Sequence, residues 1–389
     1  MSTVAGAAEG RRRLDIFAFV DALGWEVLRG RTFLEDELPW RQRVRSVLGY
    51  SSACVPSILT GRMPRDHGHW SFFYCSPGTS PFGGLRPLRL LPGAITGRAR
   101  VRNLLSKVVA RRHGYTGYFQ LYQLPFEHAH EFDYCEKRDL FSPGGVSGAP
   151  TIFDWLRDRQ VPFHVSDWRR REDENVAALH RDIDARDLRF AFLYLADLDG
   201  ALHELGKDDP AITGRIARYE ALLGNLLVAA RRRYGEVRLN VISDHGMAHV
   251  TRTFDLQSVI SALPLRFGRD YVAALDSTMA RFWLRSEAAA RLLPEALAGA
   301  EGGRLLDDDE LAALGCDFAG RRYGDLIFLM DPGHLIVPSH MGLTPIRGMH
   351  GYHPDHPDSD AALLSTHEPA CPTGSICDFH GLMTLAVAA

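Results

Sequence analysis

Three carboxylates and three imidazoles in this chain stand where apolar stretches give way to polar ones. Asp21 ends the run LDIFAFVD, Leu14 to Asp21. Asp199 and His203 follow the run LRFAFLYLAD, within LADLDGALHELG. Asp244 and His245 close VRLNVISD and open the stretch DHGM, and His350 lies near the end in RGMHGYHPD. Asp and His together are hard and borderline donors suited to a divalent metal. Each has a plainer reading when taken alone, since an Asp at a strand end caps a turn and His203 suits a surface. Ser51 and Ser52, in GYSSACVPSILTG, enter an apparent helix. A hydroxyl beside the backbone N–H groups of a helix N-terminus is a natural place to bind phosphate.

The elements that must position these residues are legible as an alternation. Leu14–Asp21, Tyr118–Leu124, Val161–Asp167, Leu188–Asp197, Val237–Asp244 and Asp325–Asp331 read as strands. Leu188–Asp197 is a near-continuous apolar run, as a strand buried on both faces should be. Between it and Val237, the positions Ile212, Ile216, Tyr219, Leu223, Leu226 and Leu227 recur at helical spacing. Asp209 and Pro210 suit the start of that helix, and Arg231 to Arg233 its C-terminal dipole end. Strand–helix–strand alternation predicts an α/β fold, a mostly parallel central sheet with helices on both faces. Ligands bind outside the carboxyl ends of strands in such sheets.

One stretch breaks the rhythm. Residues 70–146 are rich in Pro, Gly and aromatics, and their apolar content argues against disorder. They read as a cap inserted into a core made of residues 1–69 and 147–389. Arg86, Arg89, Arg98 and Arg100 of this cap are candidates to contact a substrate's remainder, with Trp70, Phe72, Phe73 and Tyr74 as either a pocket wall or a small core.

The chain's 389 residues, 46% hydrophobic and 24% charged, describe an ordinary globular protein. A net charge of -3 gives no reason to expect a nucleic-acid polymer or an anionic membrane as partner. No apolar run reaches the length of a membrane span, and MSTVAGAAEGRRRLDIFAFVD has no signal-peptide pattern. Six cysteines without CxxC spacing suit free thiols in a reducing compartment. A cytoplasmic location is the expectation.

Together these features resemble the alkaline phosphatase superfamily, and within it the type I phosphodiesterase/nucleotide pyrophosphatase family. Five motifs carry the resemblance in order: Asp21 with its turn to Gly24; TGRMPRDHG, Thr60 to Gly68; Asp199, His203 and Gly206; SDHGM, Ser243 to Met247; and MHGY, Met349 to Tyr352. The resemblance implies two divalent metal ions, zinc first and manganese second. One would be held by Asp199, His203 and His350, the other by Asp21, Asp244 and His245 with the Ser51 hydroxyl. Counting nine residues back from Thr60 gives Ser51 as the nucleophile, with Ser52 the alternative. Ser52 and Cys54 fall where relatives contact the phosphate, although Cys54 stands near the usual place of an Asn. CVPSI lacks the Arg of a sulfatase frame and starts too late for one.

The implied activity is hydrolysis of a small-molecule phosphate ester, a diester above all, through a phosphoseryl enzyme. Phosphomonoesterase, phosphonate hydrolase and phosphoryl transferase are the alternatives, and a non-catalytic phosphate-binding module is the reading from another class. His67 reads as structural, His353 and His356 as a polar loop beside His350, and His128 and His130 as cap surface.

Overall fold

The computed structural model describes residues 12–388. The reading of the amino-terminal stretch therefore falls largely outside the described residues. In chain order the first seven strands are β1 (Arg13–Val20), β2 (Trp40–Val44), β3 (Phe73–Cys75), β4 (Phe132–Tyr134), β5 (Phe163–Val165), β6 (Phe190–Leu195) and β7 (Glu236–Ile242). Five of them join the strand Ala361–Ser365 in a six-stranded sheet, ordered β2, Ala361–Ser365, β7, β1, β6, β5. β1 runs parallel to both β6 and β7, and β6 parallel to β5. Only Ala361–Ser365 opposes its neighbours, β2 and β7. The expected mostly parallel sheet is present.

β1 shows why helices cover both faces. Side chains alternate along a strand, and both faces of this one are apolar. Phe17 and Phe19 enter one core, shared with the helices Ser51–Thr60, Ile152–Asp158 and Asp378–Ala388. Leu14, Ile16, Ala18 and Val20 enter a second, shared with the helices Glu172–Ala185 and Pro210–Arg231. Burying each large apolar side chain is worth roughly 1.5–3 kcal/mol, so neither face tolerates solvent. The helix Pro210–Arg231 starts as its sequence predicts, with the Asp209 carboxylate accepting from the Ala211 N–H.

Two strand expectations need correction. Tyr118–Leu124 forms no strand. Its alternation comes from packing within residues 70–146. Leu121 and Leu124 are buried there, while Phe72 packs against both Tyr118 and Tyr122. Leu326–Met330 is a strand, but it belongs to a second, antiparallel sheet ordered Tyr271–Leu275, Met279–Leu284, Leu326–Met330, Gly303–Leu306. A short apolar strand reads alike in either sheet, because only its neighbours decide which one it joins.

Within residues 70–146, β3 and β4 pair antiparallel. Phe73, Phe82 and Tyr134 share a core with Val272, Ala274 and Trp283 of the second sheet. Arg281 of that sheet is fully buried. Its guanidinium donates to Asp276 Oδ2 at 3.0 Å and to Ser71 Oγ at 2.9 Å, which ties the sheet to the start of the insertion.

Candidate metal centre and active site

Four segments converge at the carboxyl ends of β1, β6 and β7. Asp21 follows β1 directly. Asp199 and His203 occupy the first and last turns of the helix Asp197–Leu205, which begins after β6. Their i, i+4 spacing sets both on one helix face. Asp244 and His245 follow β7. His350 follows the short strand Gly348–Met349, which pairs with Ala248–His249. Asp199, His203 and His350 bring ligand atoms within 4.8 Å of one another, and so do Asp21, Asp244 and His245. His245 Nε2 lies 3.1 Å from Asp244 Oδ2 and 3.7 Å from Asp21 Oδ1. His203 Nε2 lies 3.3 Å from Asp199 Oδ2, and His350 Nε2 lies 3.7 Å from Asp199 Oδ1.

The surroundings orient these donors. His203 Nδ1 donates to the Gly348 carbonyl at 2.8 Å, and His245 Nδ1 to the Gly246 carbonyl at 2.9 Å. Each bond leaves Nε2 as the nitrogen facing the carboxylates, the arrangement that prepares a metal-ligating imidazole. Tyr194 donates its hydroxyl to Asp21 Oδ2 at 2.9 Å. The Ala22 N–H donates to Asp244 Oδ1 at 3.2 Å from a left-handed backbone, φ +60°. Gly246 is needed for close approach and not for a tight turn. Its φ is not positive, but a Cβ there would lie 2.4 Å from the Asp358 carbonyl oxygen.

Electrostatics show what the cluster lacks. Burial, then the facing Asp244, raises the Asp21 carboxyl well above its usual value. Burial acting alone would lower His245, but Asp244, with Asp21 and Asp199, lifts it to about 10. Burial also favours the neutral acid at Asp199, yet the His203 charge and hydrogen bond hold that carboxyl well below its usual value. Burial and the neighbouring His245 push His350 down. Among the described residues, Asp21 Oδ1, Asp199 Oδ1 and His350 Nδ1 are buried without a hydrogen-bond partner. Each such orphan costs about 1–3 kcal/mol. The donor set, its charge and its unpaired oxygens fit divalent cations.

Ser51 is the first residue of the helix Ser51–Thr60, and its Oγ lies 3.2 Å from His245 Nε2. Ser52 is buried and donates its hydroxyl to the Trp70 carbonyl at 2.9 Å. The sulfur of Cys54 is buried 3.5 Å from Ser46 Oγ, and Cys54 does not line the pocket beside the site. The expected phosphate contact of Cys54 finds no support in this placement, because the packing of its helix turns the sulfur into the core. Helical spacing puts Ser51 and Cys54 on neighbouring faces, and only the packing decides which face meets the pocket.

That pocket encloses about 550 Å³ and runs from Asp21, Ser51, Asp199, His203 and His350 to an aromatic wall. Phe72 belongs to the wall, whereas Trp70 packs in the core against Phe318 and Tyr323. Arg86, Arg89, Arg98 and Arg100 are exposed and do not line the pocket. They lie on solvated faces of the insertion. His67 bonds Ser57 on the helix Ser51–Thr60 at 2.9 Å. His353 pairs with Glu310 at 3.3 Å, and His128 stacks on Phe267.

The sequence reading missed Tyr194, Tyr50, Thr278 and Glu136. Tyr194 had one signal, a hydroxyl near the end of an otherwise apolar strand. Tyr50 donates toward or accepts from Thr278 Oγ at 3.0 Å, and Thr278 Oγ donates to the Gly351 carbonyl at 3.0 Å. Thr278 comes from the second sheet and had no sequence signal, nor had Glu136.

The profile of the family described as type I phosphodiesterase / nucleotide pyrophosphatase matches residues 46–353. No curated protein sequence matches the chain. Among solved structures, murine ectonucleotide pyrophosphatase / phosphodiesterase 5 superposes with a TM-score of 0.68 at 17% identity, covering 96% of this chain and 95% of that one. Its inactive form in complex with AMP gives 0.68 at 16% identity, covering 96% and 94%. The human counterpart gives 0.68 at 15%, again covering 96% and 94%. At these identities the likeness is one of fold.

Proposed function

The chain belongs to the type I phosphodiesterase / nucleotide pyrophosphatase family, and from that premise we propose a two-metal hydrolase of small phosphate diesters with Ser51 as nucleophile. The observation that carries this reading is the convergence of two Asp/His triads beside the Ser51 hydroxyl. Two bound divalent ions would supply positive charge to the attacking and leaving oxygens of an in-line displacement. Asp199, His203 and His350 would hold one, and Asp21, Asp244 and His245 the other. Mixed Asp and His donors favour zinc, with manganese second.

The chain's own groups do the rest. Ser51 attacks phosphorus, the bond to the leaving alcohol breaks, and water later releases the phosphoryl group from the serine. The N–H groups of Ser51 and Ser52 open the helix and have no backbone partner among the described residues, so they can hold a phosphate oxygen. Tyr194 keeps Asp21 turned toward the site. A diester is favoured over a monoester because the pocket continues past the ligands and has room for a second substituent. Six free cysteines support a cytoplasmic location, and among the described residues no helix is long and apolar enough to cross a membrane.

The test is a substrate panel on zinc- or manganese-loaded protein: bis(nitrophenyl) phosphate, nitrophenyl phosphate, a nitrophenyl phosphonate and nitrophenyl sulfate. The diester should turn over fastest and the sulfate slowest. Failure to cleave any phosphorus ester with either metal would end the reading.

A further inference from the structure

Charge is spread unevenly along the chain. Residues 67–126 contain no Asp or Glu yet carry seven Arg and one Lys, so the rest of the chain is net acidic. The whole-chain value of -3 hides this polarity. Of these eight cations only Arg102 is buried. Its guanidinium donates to the Thr96 carbonyl at 2.9 Å and to the Leu124 carbonyl at 2.7 Å, and lies over the Phe126 ring. Arg86, Arg89, Arg98, Arg100, Lys107, Arg111 and Arg112 are exposed. None of them makes an ion pair or hydrogen bond among the described residues, whereas Arg321 pairs with Asp308 and Arg157 with Asp158.

Large apolar side chains stand in solvent among these cations. Leu90 is 80% exposed, Leu104 63% and Val108 54%, and Leu91 and Ile95 are exposed as well. On the helix Ala99–His113, Arg100, Leu104, Lys107, Val108 and Arg111 share the outward face, while Arg102, Ser106 and Val109 face inward. The segment before this helix is held to it twice: Leu85 shares a core with Val109, and Arg102 bonds Thr96. The two therefore carry their exposed groups on one body. Single exposed apolar residues are ordinary, but several in one segment, interspersed with unpaired cations, mark an interaction surface. An anionic bilayer complements both features, with headgroups for the cations and an apolar boundary for the aliphatic side chains. A nucleic acid would leave those side chains in water, and residues 83–114 contain no Phe, Tyr or Trp to stack on a base. We propose that this face docks on an anionic lipid surface, with Leu90, Leu91, Ile95, Leu104 and Val108 entering the interface and the exposed Arg and Lys side chains meeting its headgroups.

Flotation of the full-length protein with vesicles tests this, using phosphatidylcholine alone and an equal mixture of phosphatidylcholine and phosphatidylserine. Each Lys or Arg near an anionic surface contributes about fivefold, so partition into the mixed vesicles should exceed that into neutral ones by at least about tenfold. It should fall steeply with added salt. Arg98→Glu combined with Arg100→Glu and Lys107→Glu should abolish the difference between the two vesicles. Leu90→Ser combined with Leu104→Ser keeps the charge and should lower binding to the mixed vesicles about tenfold. All five positions are exposed, so an unchanged Tm verifies the fold of each variant. Flotation reads no turnover, so its outcome is separate from that of the diesterase reading. Equal binding to both vesicles, binding to neither, or undiminished binding after the Leu90 and Leu104 substitutions would overturn the proposal. So would tighter binding to single-stranded RNA than to the mixed vesicles, which would assign the cations to a nucleic acid. A dimer in vesicle-free sedimentation that the charge-reversing substitutions dissociate would overturn it too, assigning the surface to a second, acidic copy of the chain.

Discussion

The imidazoles of His245 and His350 lie face to face, with ring centroids 3.7 Å apart and planes 10° apart. One belongs to each Asp/His triad, so the two triads touch through this stack. Two cationic rings so placed would repel, and the shifts run in opposite directions: His245 up, His350 down. Metal occupancy at one group should therefore influence the other. Elemental analysis of protein purified without chelator should find close to two divalent ions per chain, one for each triad. Asp244→Asn should lose one of them, and His350→Ala should lose one and weaken the other. A metal-free protein that added zinc or manganese neither binds nor activates would refute this.

Ser51 and Ser52 are neighbours with different commitments, one beside His245 and one bonded to the Trp70 carbonyl. Ser51→Ala should lower kcat on the order of 10³-fold or more and leave metal content intact, because all six Asp and His donors remain. Ser52→Ala should mainly cost stability, about 1–2 kcal/mol for a buried hydroxyl bond. The reverse pattern in kcat would shift the nucleophile by one residue.

Tyr50 precedes Ser51, and its hydroxyl meets both the hydroxyl and the N–H of Thr278 at 3.0 Å. The same Thr278 hydroxyl reaches the carbonyls of His350 and Gly351 at 3.3 and 3.0 Å. Thr278 thus joins the start of the helix Ser51–Thr60 to the loop that carries His350. Thr278→Val keeps the shape, removes those bonds, and should cost about 1–3 kcal/mol. If the link positions Ser51, kcat should also fall about tenfold with little change in KM. A lower Tm with unchanged kcat would reduce Thr278 to a structural role.

Glu136 makes stability depend on pH. Its folded value of about 8 lies above the usual 4.5. Its contribution is therefore complete below pH 4.5 and is lost as pH rises through 8. The groups facing it are Cys135, His69, Tyr118, Tyr122 and Tyr134, and none supplies a cation at neutral pH. The Tm advantage of Glu136→Gln over the unsubstituted protein should grow from near zero at pH 4.5 to its largest near pH 8. A pH-independent difference between the two would contradict the raised carboxyl.

Much of the candidate site was legible in the sequence alone. Asp21, Asp244 and His245 directly follow buried apolar strands, and such strands must join one sheet whose carboxyl ends lie together. The helix Pro210–Arg231 was equally legible, from its apolar spacing and its Asp-Pro start. Only the tertiary structure decided the rest. The second sheet draws on short apolar strands whose partners are far away in sequence, and no local pattern distinguishes it from the first. Cys54 turns into the core and Arg86, Arg89, Arg98 and Arg100 face solvent, and residue type alone says nothing about which face packs inward. Glu136, Tyr50 and Thr278 meet the site through contacts between distant segments, 228 residues apart for Tyr50 and Thr278. Periodicity records what each segment buries, but a pocket is formed by the faces that packing leaves uncovered.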